Sequence, residues 1–345
     1  MEINKSLLKK YQRRSSAKEA GVGAAFLSPF IINFILFSII PIGFGIVISL
    51  FNYNPYNTEK IEFVGFKNYL YVFDVLTEKL FNFSLIDPAP TRYTTYFWES
   101  FKSTLIFDVI VVPFLIIIPL ALAYLVNLNP PGHKLFRAIL YVPSVVSISI
   151  VGIIFGNMFG SDKESFINSL LGTEINFLNN RDGVTLRWMV ILIASIWWQT
   201  GGNFIIFLAA LKNVPKSLYE ACEIDGGSKW KAFTKVTLPN IKSSISICLF
   251  TTIIGYLGLY GQVTVLRGAV FEGTYDSPMM FIQQMLTDVG KATMTGYISA
   301  IAVVFGLITM FFTAIEKICM ADREKGDKYG QRYIKYYAQK ENAQI

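Results

Sequence analysis

The chain contains few of the side chains that bind metals or perform acid–base and nucleophilic chemistry. Its 345 residues include three cysteines and one histidine, His133. The cysteines, Cys222, Cys248 and Cys319, are too widely spaced to form a zinc, haem or disulfide pattern. The chain also lacks a G-x-x-x-x-G-K-[ST] loop, which would bind nucleotide phosphates. The sequence therefore predicts no metal site, no bound cofactor and no enzymatic centre within this chain.

Charged residues are scarce as well. They make up 16% of the chain, whereas 53% of its residues are hydrophobic, and the mean hydropathy is +0.45. This composition is typical of a polytopic membrane protein rather than a soluble domain. The net charge of +7 would also suit a nucleic-acid-binding protein, but no basic and aromatic recognition module is present. We therefore expect the basic residues to flank membrane spans, and we expect no nucleic-acid partner.

Six segments are long and apolar enough to cross a bilayer, whose hydrocarbon core needs about 20 apolar residues in a helix. They are approximately Gly21–Phe51, Phe101–Val126, Leu135–Phe159, Leu186–Leu211, Ile241–Val265 and Tyr297–Cys319. The first is too long for the apolar region of a signal peptide and lacks a convincing cleavage site, so we expect an uncleaved span.

The basic residues also predict the orientation of the chain. Most of the 31 lysines and arginines fall in segments that share one side of the membrane, which predicts that both termini are cytoplasmic. The predicted divisions are a cytoplasmic segment 1–20, the first span 21–51, an extracytoplasmic loop 52–100, a core of five spans 101–319 with a cytoplasmic loop 212–240, and a cytoplasmic tail 320–345. The tail is polar, and we expect it to be solvated and frayed.

The cytoplasmic loop contains a charged stretch, LYEACEIDGGSKWKAFTKVTLP, between two apolar spans. Proline near the start and two glycines after the acidic end predict a short helix over Pro215–Asp225. A second helix is predicted over Ser228–Thr237, and Pro239 marks the return of the chain to the membrane. A helix of three turns is marginal in water alone, so it needs a partner surface. The alternative is an ordinary helical loop with no partner.

This stretch resembles the EAA motif of the permease subunits of binding-protein-dependent ABC importers, E-A-A-x3-G-x9-I-x-L-P. Cys222 stands in place of the second alanine, and Val236 in place of the isoleucine. Further blocks resemble the carbohydrate-specific branch, which contains the maltose and glycerol-phosphate permeases. They are FVGFKNYLYVF, FWESFKSTLIF, FRAILYVPSVVS, WQTGGNFIIFLAALKNVPKSLYEA and GYISAIAVVFG. The loop VLRGAVFEGTYDSP after the fifth span departs from the glycine-rich T-x-G-G-P turn of this branch, so the resemblance implies no function for residues 265–296.

The resemblance implies an all-α polytopic membrane protein with the type I ABC importer permease fold, in which six transmembrane helices carry a cytoplasmic coupling helix between helices 4 and 5. It also implies a multi-pass protein of a prokaryotic cell membrane. The implied partners are a second homologous permease, a cytoplasmic dimer of ATP-binding subunits that bind ATP and Mg²⁺, an extracytoplasmic solute-binding protein, a carbohydrate substrate and membrane lipid. The residues implied to couple the permease to the ATPase are Leu218, Glu220, Ala221, Cys222, Asp225, Gly226 and Pro239.

Sugars present hydroxyl groups and apolar ring faces, so a translocation site for them needs aromatic and hydrogen-bonding side chains. The fourth and fifth predicted spans provide such residues. The sequence and the resemblance together give as candidates Trp198, Gln199, Gly202, Asn203, Thr252, Gly255, Tyr256, Leu259 and Tyr260. The alternative is that the tryptophans and the pair Gly201–Gly202 serve helix packing. Asp108, an ionisable residue inside a span, is either another pathway residue or a residue near the outer interface.

Two other functions stay open at this point. The same architecture could carry a solute that is not a sugar, such as a glycerol phosphodiester or a peptide-like compound. A secondary transporter could also have six spans, but ion coupling usually requires buried carboxylates or broken helices at the centre of the membrane. Asp108 is the one candidate for such a carboxylate in the sequence. An ATP-driven sugar importer is therefore the favoured reading.

Overall fold

The computed structural model describes residues 22, 24–57, 61–81, 91–160, 162–178, 184–266, 277–288 and 294–342. The predicted cytoplasmic segment 1–20 lies outside the described residues, as does most of the atypical loop after the fifth predicted span. Contacts divide the chain into two compact units. One unit is drawn from residues 1–87 and 288–303, and the other from residues 88–287 and 304–345.

The first unit begins with a long apolar helix, α1, over Ala24–Ile48. One turn of α1 is π-helical, and nearly all of its side chains are exposed, as expected of a surface that faces lipid. Two short strands, β1 (Phe51–Asn52) and β2 (Glu62–Phe63), then pair antiparallel. They lead into α2, Lys67–Phe81. The Asn68 amide donates to the carbonyl oxygens of Ser49 (2.8 Å) and Phe51 (3.1 Å), which attaches α2 to the end of α1.

The regular elements in the described part of the second unit are all helices. Its elements are α3 (Thr91–Asn127), α4 (His133–Val145), α5 (Ile148–Met158), α6 (Phe166–Leu171), α7 (Val184–Lys212), α8 (Lys216–Ile224), α9 (Lys229–Asn240), α10 (Lys242–Leu257), α11 (Gly261–Val265) and α12 (Pro278–Thr287). The last helix, α13, runs over Thr295–Asn342 and contributes residues to both units. Helices α3, α7 and α10 enclose two apolar clusters. One surrounds Phe107 and Tyr256, and the other surrounds Phe204 and Phe207.

Four helices are individually long and apolar enough to cross a bilayer, and two bent helix pairs bring the number to six if each pair is one span. The four are α1, the α3 segment Tyr93–Asn127, the α7 segment Leu186–Lys212 and the α13 segment Thr295–Ile318. The pairs are α4 with α5, bent by 97°, and α9 with α10, bent by 66°. The described residues thus contain four to six candidate spans, and the predicted number is reached only if each bent pair is one span. The second pair differs from the predicted fifth segment, Ile241–Val265, because it begins at Lys229 in the charged stretch and ends at Leu257.

The structure departs from the sequence prediction most clearly in the third segment, Leu135–Phe159. This segment is two helices, because Val146 and Ser147 adopt extended backbone conformations between them. The Ser147 hydroxyl accepts from the Ile150 amide at 3.5 Å and so caps the second helix. Hydropathy alone does not show this break, since the segment is apolar on both sides of it.

Helix ends also differ from the prediction. Helix α3 begins at Thr91 rather than at Phe101, because no proline or glycine interrupts residues 91–100 and Phe97 is buried against Phe281 and Phe305. The tail expected to fray is part of α13, which continues to Asn342. No proline occurs between Thr295 and Asn342, so nothing breaks the ladder of backbone hydrogen bonds.

Candidate functional site

The charged stretch folds as predicted into two short helices separated by a glycine turn. Helix α8 begins one residue later than predicted, since Pro215 is its N-cap rather than its first helical residue. At its other end, Gly226 has a φ of +68°, and its amide donates to the Glu223 carbonyl at 3.0 Å. The Gly227 amide donates to the Cys222 carbonyl at 2.8 Å. These two bonds form a Schellman motif, which ends the helix abruptly and reverses the chain.

Both glycines of the turn are required, for different reasons. Gly226 needs the positive φ, which a side chain disfavours. Gly227 needs space, because a Cβ there would lie 2.5 Å from the Cys222 sulfur and 2.6 Å from the Cys222 carbonyl oxygen. The Ser228 hydroxyl then accepts from the Lys231 amide at 3.3 Å and starts α9. The sequence predicted that both glycines end the helix, but it did not predict that Gly227 is needed for space against Cys222.

The loop is held against the membrane helices by aromatic side chains. The Tyr219 hydroxyl lies 2.9 Å from the Thr237 hydroxyl, which joins α8 to α9. The ring of Phe233 in α9 lies 4.9 Å from that of Tyr124 near the end of α3. Tyr219 and Val236 also pack on the apolar cluster around Phe207. Packed side chains therefore connect the loop to α3 and α7.

The outer surface of α8 is apolar and acidic. Leu218 and Ile224 are 40% and 86% exposed, and Ala221 is exposed between them. The carboxylates of Glu220 and Asp225 are also exposed. Cys222, which the resemblance assigned to the same surface, is half-buried beneath Gly227 instead, and Pro239 is exposed at the end of α9. Ile224 and Trp230, which is 72% exposed, are exposed apolar residues that sequence reasoning did not select.

Trp198 supports the break between α4 and α5. Its indole N–H donates to the Val146 carbonyl at 2.9 Å, and its own carbonyl accepts from the Ser144 hydroxyl at 2.9 Å. Val146 lies at the break, where its carbonyl has no helical partner. Gly201 lies one turn further along α7. It lets α7 and α4 pack closely, because a Cβ there would lie 2.7 Å from the Leu140 carbonyl oxygen. Gly202 has open space around it instead.

Asn203 satisfies a backbone group that a proline leaves without a donor. Pro119 lies inside α3 and has no N–H, so the Leu115 carbonyl four residues earlier lacks its usual helical hydrogen bond. The Asn203 amide donates to this carbonyl at 2.8 Å and to the Thr252 hydroxyl at 3.3 Å. One side chain thus joins α3, α7 and α10. The spacing of Pro119 and Leu115 predicts the orphan carbonyl, but the sequence alone does not show which residue reaches it.

The remaining candidates divide into two groups by burial. Gln199 and Tyr260 are half-buried, and Gly202 and Gly255 are exposed, with nothing within 4 Å of a Cβ placed on either glycine. Leu259, Tyr256 and Asp108 are buried, with 2%, 1% and 6% of their surfaces exposed. Asp108 and Tyr256 belong to the same part of the core, where the Phe107 ring packs 5.9 Å from that of Tyr256.

The part of the chain that contains these helices and the glycine-ended loop matches a known family. Residues 103–320 match the family described as the binding-protein-dependent transport system inner membrane component. The chain belongs to this family. It is thus a membrane-embedded permease and not itself an enzyme, as the resemblance of the EAA-like motif indicated.

Named relatives agree with this assignment, and a solved structure has a similar fold. The permease is 30% identical to the probable ABC transporter permease protein YesP of Bacillus subtilis, with 86% of this chain and 91% of the relative covered. It is 31% identical to the arabinooligosaccharides transport system permease protein AraP of the same organism, with 70% of each covered. A bacterial ABC transporter that imports the acidic polysaccharide alginate contains a chain of similar fold, with a TM-score of 0.66 and 22% identity over 89% of this chain and 98% of that one.

Proposed function

We propose that this permease forms, with a second homologous permease, the translocation pathway of an ATP-driven importer for a sugar or oligosaccharide. An extracytoplasmic binding protein would deliver the solute, and a cytoplasmic dimer of ATP-binding subunits would bind ATP and Mg²⁺. The observation that carries the proposal is the similarity to AraP over 70% of both chains, since AraP is a permease of an arabinooligosaccharides transport system. The proposed topology has six spans with both termini in the cytoplasm of a prokaryotic cell.

In this proposal α8 is the coupling helix. Its exposed apolar side chains, Leu218, Ala221 and Ile224, are suited to a groove on the ATP-binding subunit. Glu220 and Asp225 would meet complementary charge at the edge of that groove. The Schellman turn and the contact between Phe233 and Tyr124 support this role, because they attach the helix firmly to the membrane helices.

The solute class is tested by reconstituting the permease with its partner subunits and binding protein in proteoliposomes. The panel contains an arabino-oligosaccharide, a neutral disaccharide, an alginate oligosaccharide and glycerol 3-phosphate. We expect ATP-dependent uptake of at least one sugar, with stimulated ATP hydrolysis. Uptake of glycerol 3-phosphate alone would favour the non-sugar alternative. Uptake driven by an ion gradient without ATP would contradict the proposal and favour a secondary transporter.

The coupling role is tested by changing the charge of α8. Glu220→Lys reverses an exposed charge outside every span, so insertion into the membrane should be unaffected. We expect uptake to fall at least about tenfold, equivalent to about 1.4 kcal/mol, with poorer co-purification of the ATP-binding subunit. Glu220→Gln removes the charge at nearly constant shape and should have a smaller effect. Wild-type uptake and co-purification in Glu220→Lys would show that this position does not couple the two subunits.

A further inference from the structure

Helix α9 is basic, whereas the neighbouring helix α8 is acidic. The acidic residues of the loop lie on α8 or at its end, and they are Glu220, Glu223 and Asp225. No acidic residue follows until Glu272. The lysines of α9 are Lys229, Lys231 and Lys235. All three are exposed, and none forms an ion pair within the described ranges. The loop therefore presents two surfaces of opposite charge.

A row of aromatic rings extends from the end of α3 to the outer surface of α9. The ring of Tyr124 lies 4.9 Å from that of Phe233, and the ring of Phe233 lies 5.7 Å from that of Trp230. Trp230 is the outermost of the three, since most of its surface is exposed. Tryptophan and tyrosine are enriched at membrane surfaces, because an apolar ring with a polar edge suits the level of the headgroups. The row therefore indicates that α9 begins close to a membrane surface.

The side chains around the inner end of this row are suited to lipid. Leu125 and Leu128, beside Tyr124 at the end of α3, are both exposed. Helix α3 is long and apolar enough to cross a bilayer, so these leucines are expected to contact acyl chains near the membrane surface. Exposed leucines followed by a tryptophan and lysines match the order of acyl chains, interface and headgroups in a bilayer leaflet.

The bend between α9 and α10 keeps α9 close to the same surface. The axes of the two helices differ by 66°. The twelve residues of α9 span about 18 Å at the usual helical rise. When α10 crosses the bilayer along its normal, α9 therefore moves away from the start of α10 by only about 7 Å in that direction. The headgroup region is about 5–7 Å thick on each side of the hydrocarbon core. This geometry leaves the whole length of α9 at the depth of the headgroups.

We propose that α9 lies in the headgroup layer of the cytoplasmic leaflet and that its three lysines bind anionic lipid headgroups there. The inference rests on the proposed function for the side of the membrane, and it adds a lipid site to that function. The ammonium groups bind headgroup phosphates, while the ring of Trp230 lies at the boundary with the acyl chains. Because the Tyr219 hydroxyl lies 2.9 Å from that of Thr237, the lipid contact also fixes the distance of α8 from the membrane.

The ATP-binding subunit is the other surface that α9 could meet. In the proposed function the carboxylates of α8 contact complementary, positive charge on that subunit. The same positive surface would repel the lysines of α9, which follow within a few residues, whereas anionic lipid attracts them. The charges of the loop therefore assign α8 to the subunit and α9 to the lipid.

The test measures which lipid surrounds Trp230 in the purified full-length permease. The permease is reconstituted in vesicles of phosphatidylcholine and phosphatidylglycerol at equal mole fractions, and each lipid is brominated in turn, because bromine quenches nearby tryptophan fluorescence. The difference between the wild type and Trp230→Phe isolates the emission of Trp230 from that of the other tryptophans. We expect brominated phosphatidylglycerol to quench Trp230 more strongly than brominated phosphatidylcholine. The preference should disappear in about 1 M salt, where the Debye length is about 3 Å.

Substitutions of the lysines then identify the residues that bind the headgroups. Replacing any one lysine of α9 with glutamine should lower the association of phosphatidylglycerol relative to phosphatidylcholine about fivefold, the equivalent of about 1 kcal/mol. Lys231→Arg keeps the charge and should keep the preference. The matched control is Lys216→Gln, which removes an exposed lysine of the same loop from α8 and should leave the preference unchanged.

Each other outcome overturns the inference. No quenching of Trp230 by either lipid would mean that α9 does not lie at the membrane surface. Equal quenching by both lipids, or an equal loss of preference in Lys216→Gln, would mean that α9 recognises no headgroup. Unchanged quenching with poorer co-purification of the ATP-binding subunit in the lysine variants would assign α9 to that subunit. The quenching measurement requires no ATP, solute or partner, so a wild type that imports no sugar would contradict the proposed function without deciding the lipid preference.

Discussion

The bond between Asn203 and the Leu115 carbonyl leads to a prediction that a double-mutant cycle tests. Asn203→Ala should destabilise the permease, because it leaves a carbonyl without a donor inside the membrane, where water cannot replace it. An unsatisfied buried acceptor costs about 1–3 kcal/mol. The bond to Thr252 adds a smaller amount, since hydrogen bonds between membrane helices contribute about 0.6 kcal/mol on average.

The second change of the cycle, Pro119→Ala, restores an N–H that bonds the Leu115 carbonyl within α3. In the Pro119→Ala background the Leu115 carbonyl has a donor within α3. Asn203→Ala should then lower the free energy of unfolding only by the contribution of the hydrogen bond to Thr252. We therefore expect a coupling energy of about 1–3 kcal/mol between the two changes, which is the cost of the unsatisfied carbonyl. Free energies of unfolding would be measured by reversible denaturant titration of the purified permease in mixed micelles.

Pro113 provides the matched control for this cycle. It also lies inside α3, but it frees the Val109 carbonyl rather than that of Leu115. Pro113→Ala and Asn203→Ala should therefore be additive within about 0.3 kcal/mol. The same additivity between Pro119→Ala and Asn203→Ala would refute the reasoning, because Asn203 would then not replace the missing donor.

Three further predictions concern the break, the loop and the topology. Trp198→Phe removes the donor to the Val146 carbonyl and should lower the free energy of unfolding by about 1–3 kcal/mol. The control, Trp197→Phe, changes a side chain that is 40% exposed, and should lower the free energy of unfolding less in the same assay. Gly227→Ala should displace α8 by overpacking, at a cost of about 1–3 kcal/mol, and reduce co-purification of the ATP-binding subunit without reducing membrane insertion. In a background without the native cysteines, a cysteine at Asn57 should react with an impermeant thiol reagent in intact cells, and one at Ser228 only after permeabilisation; the reverse pattern would contradict the six-span topology.

The loop of residues 212–240 was predictable because its structure depends on local chemistry. Pro215 and the glycine pair fix the ends of α8 within one residue, since a proline at a helix start and a glycine with positive φ beyond its end act on neighbouring backbone groups. The apolar spans were predictable for a similar reason, because a helix that crosses a bilayer must be apolar over its whole length. The orientation of Cys222 toward Gly227 could not be predicted from the sequence, because it depends on how the loop packs after the turn.

The sequence by itself determined that this is a polytopic membrane protein with a short helical loop of the EAA type, because composition, length of apolar runs and glycine spacing are properties of neighbouring residues. Tertiary structure decided the roles of residues in the spans. Trp198 supports a helix break, and Asn203 replaces a donor that Pro119 lacks. Each of these relations links residues from different helices, and hydropathy contains no information on which faces of two apolar helices meet.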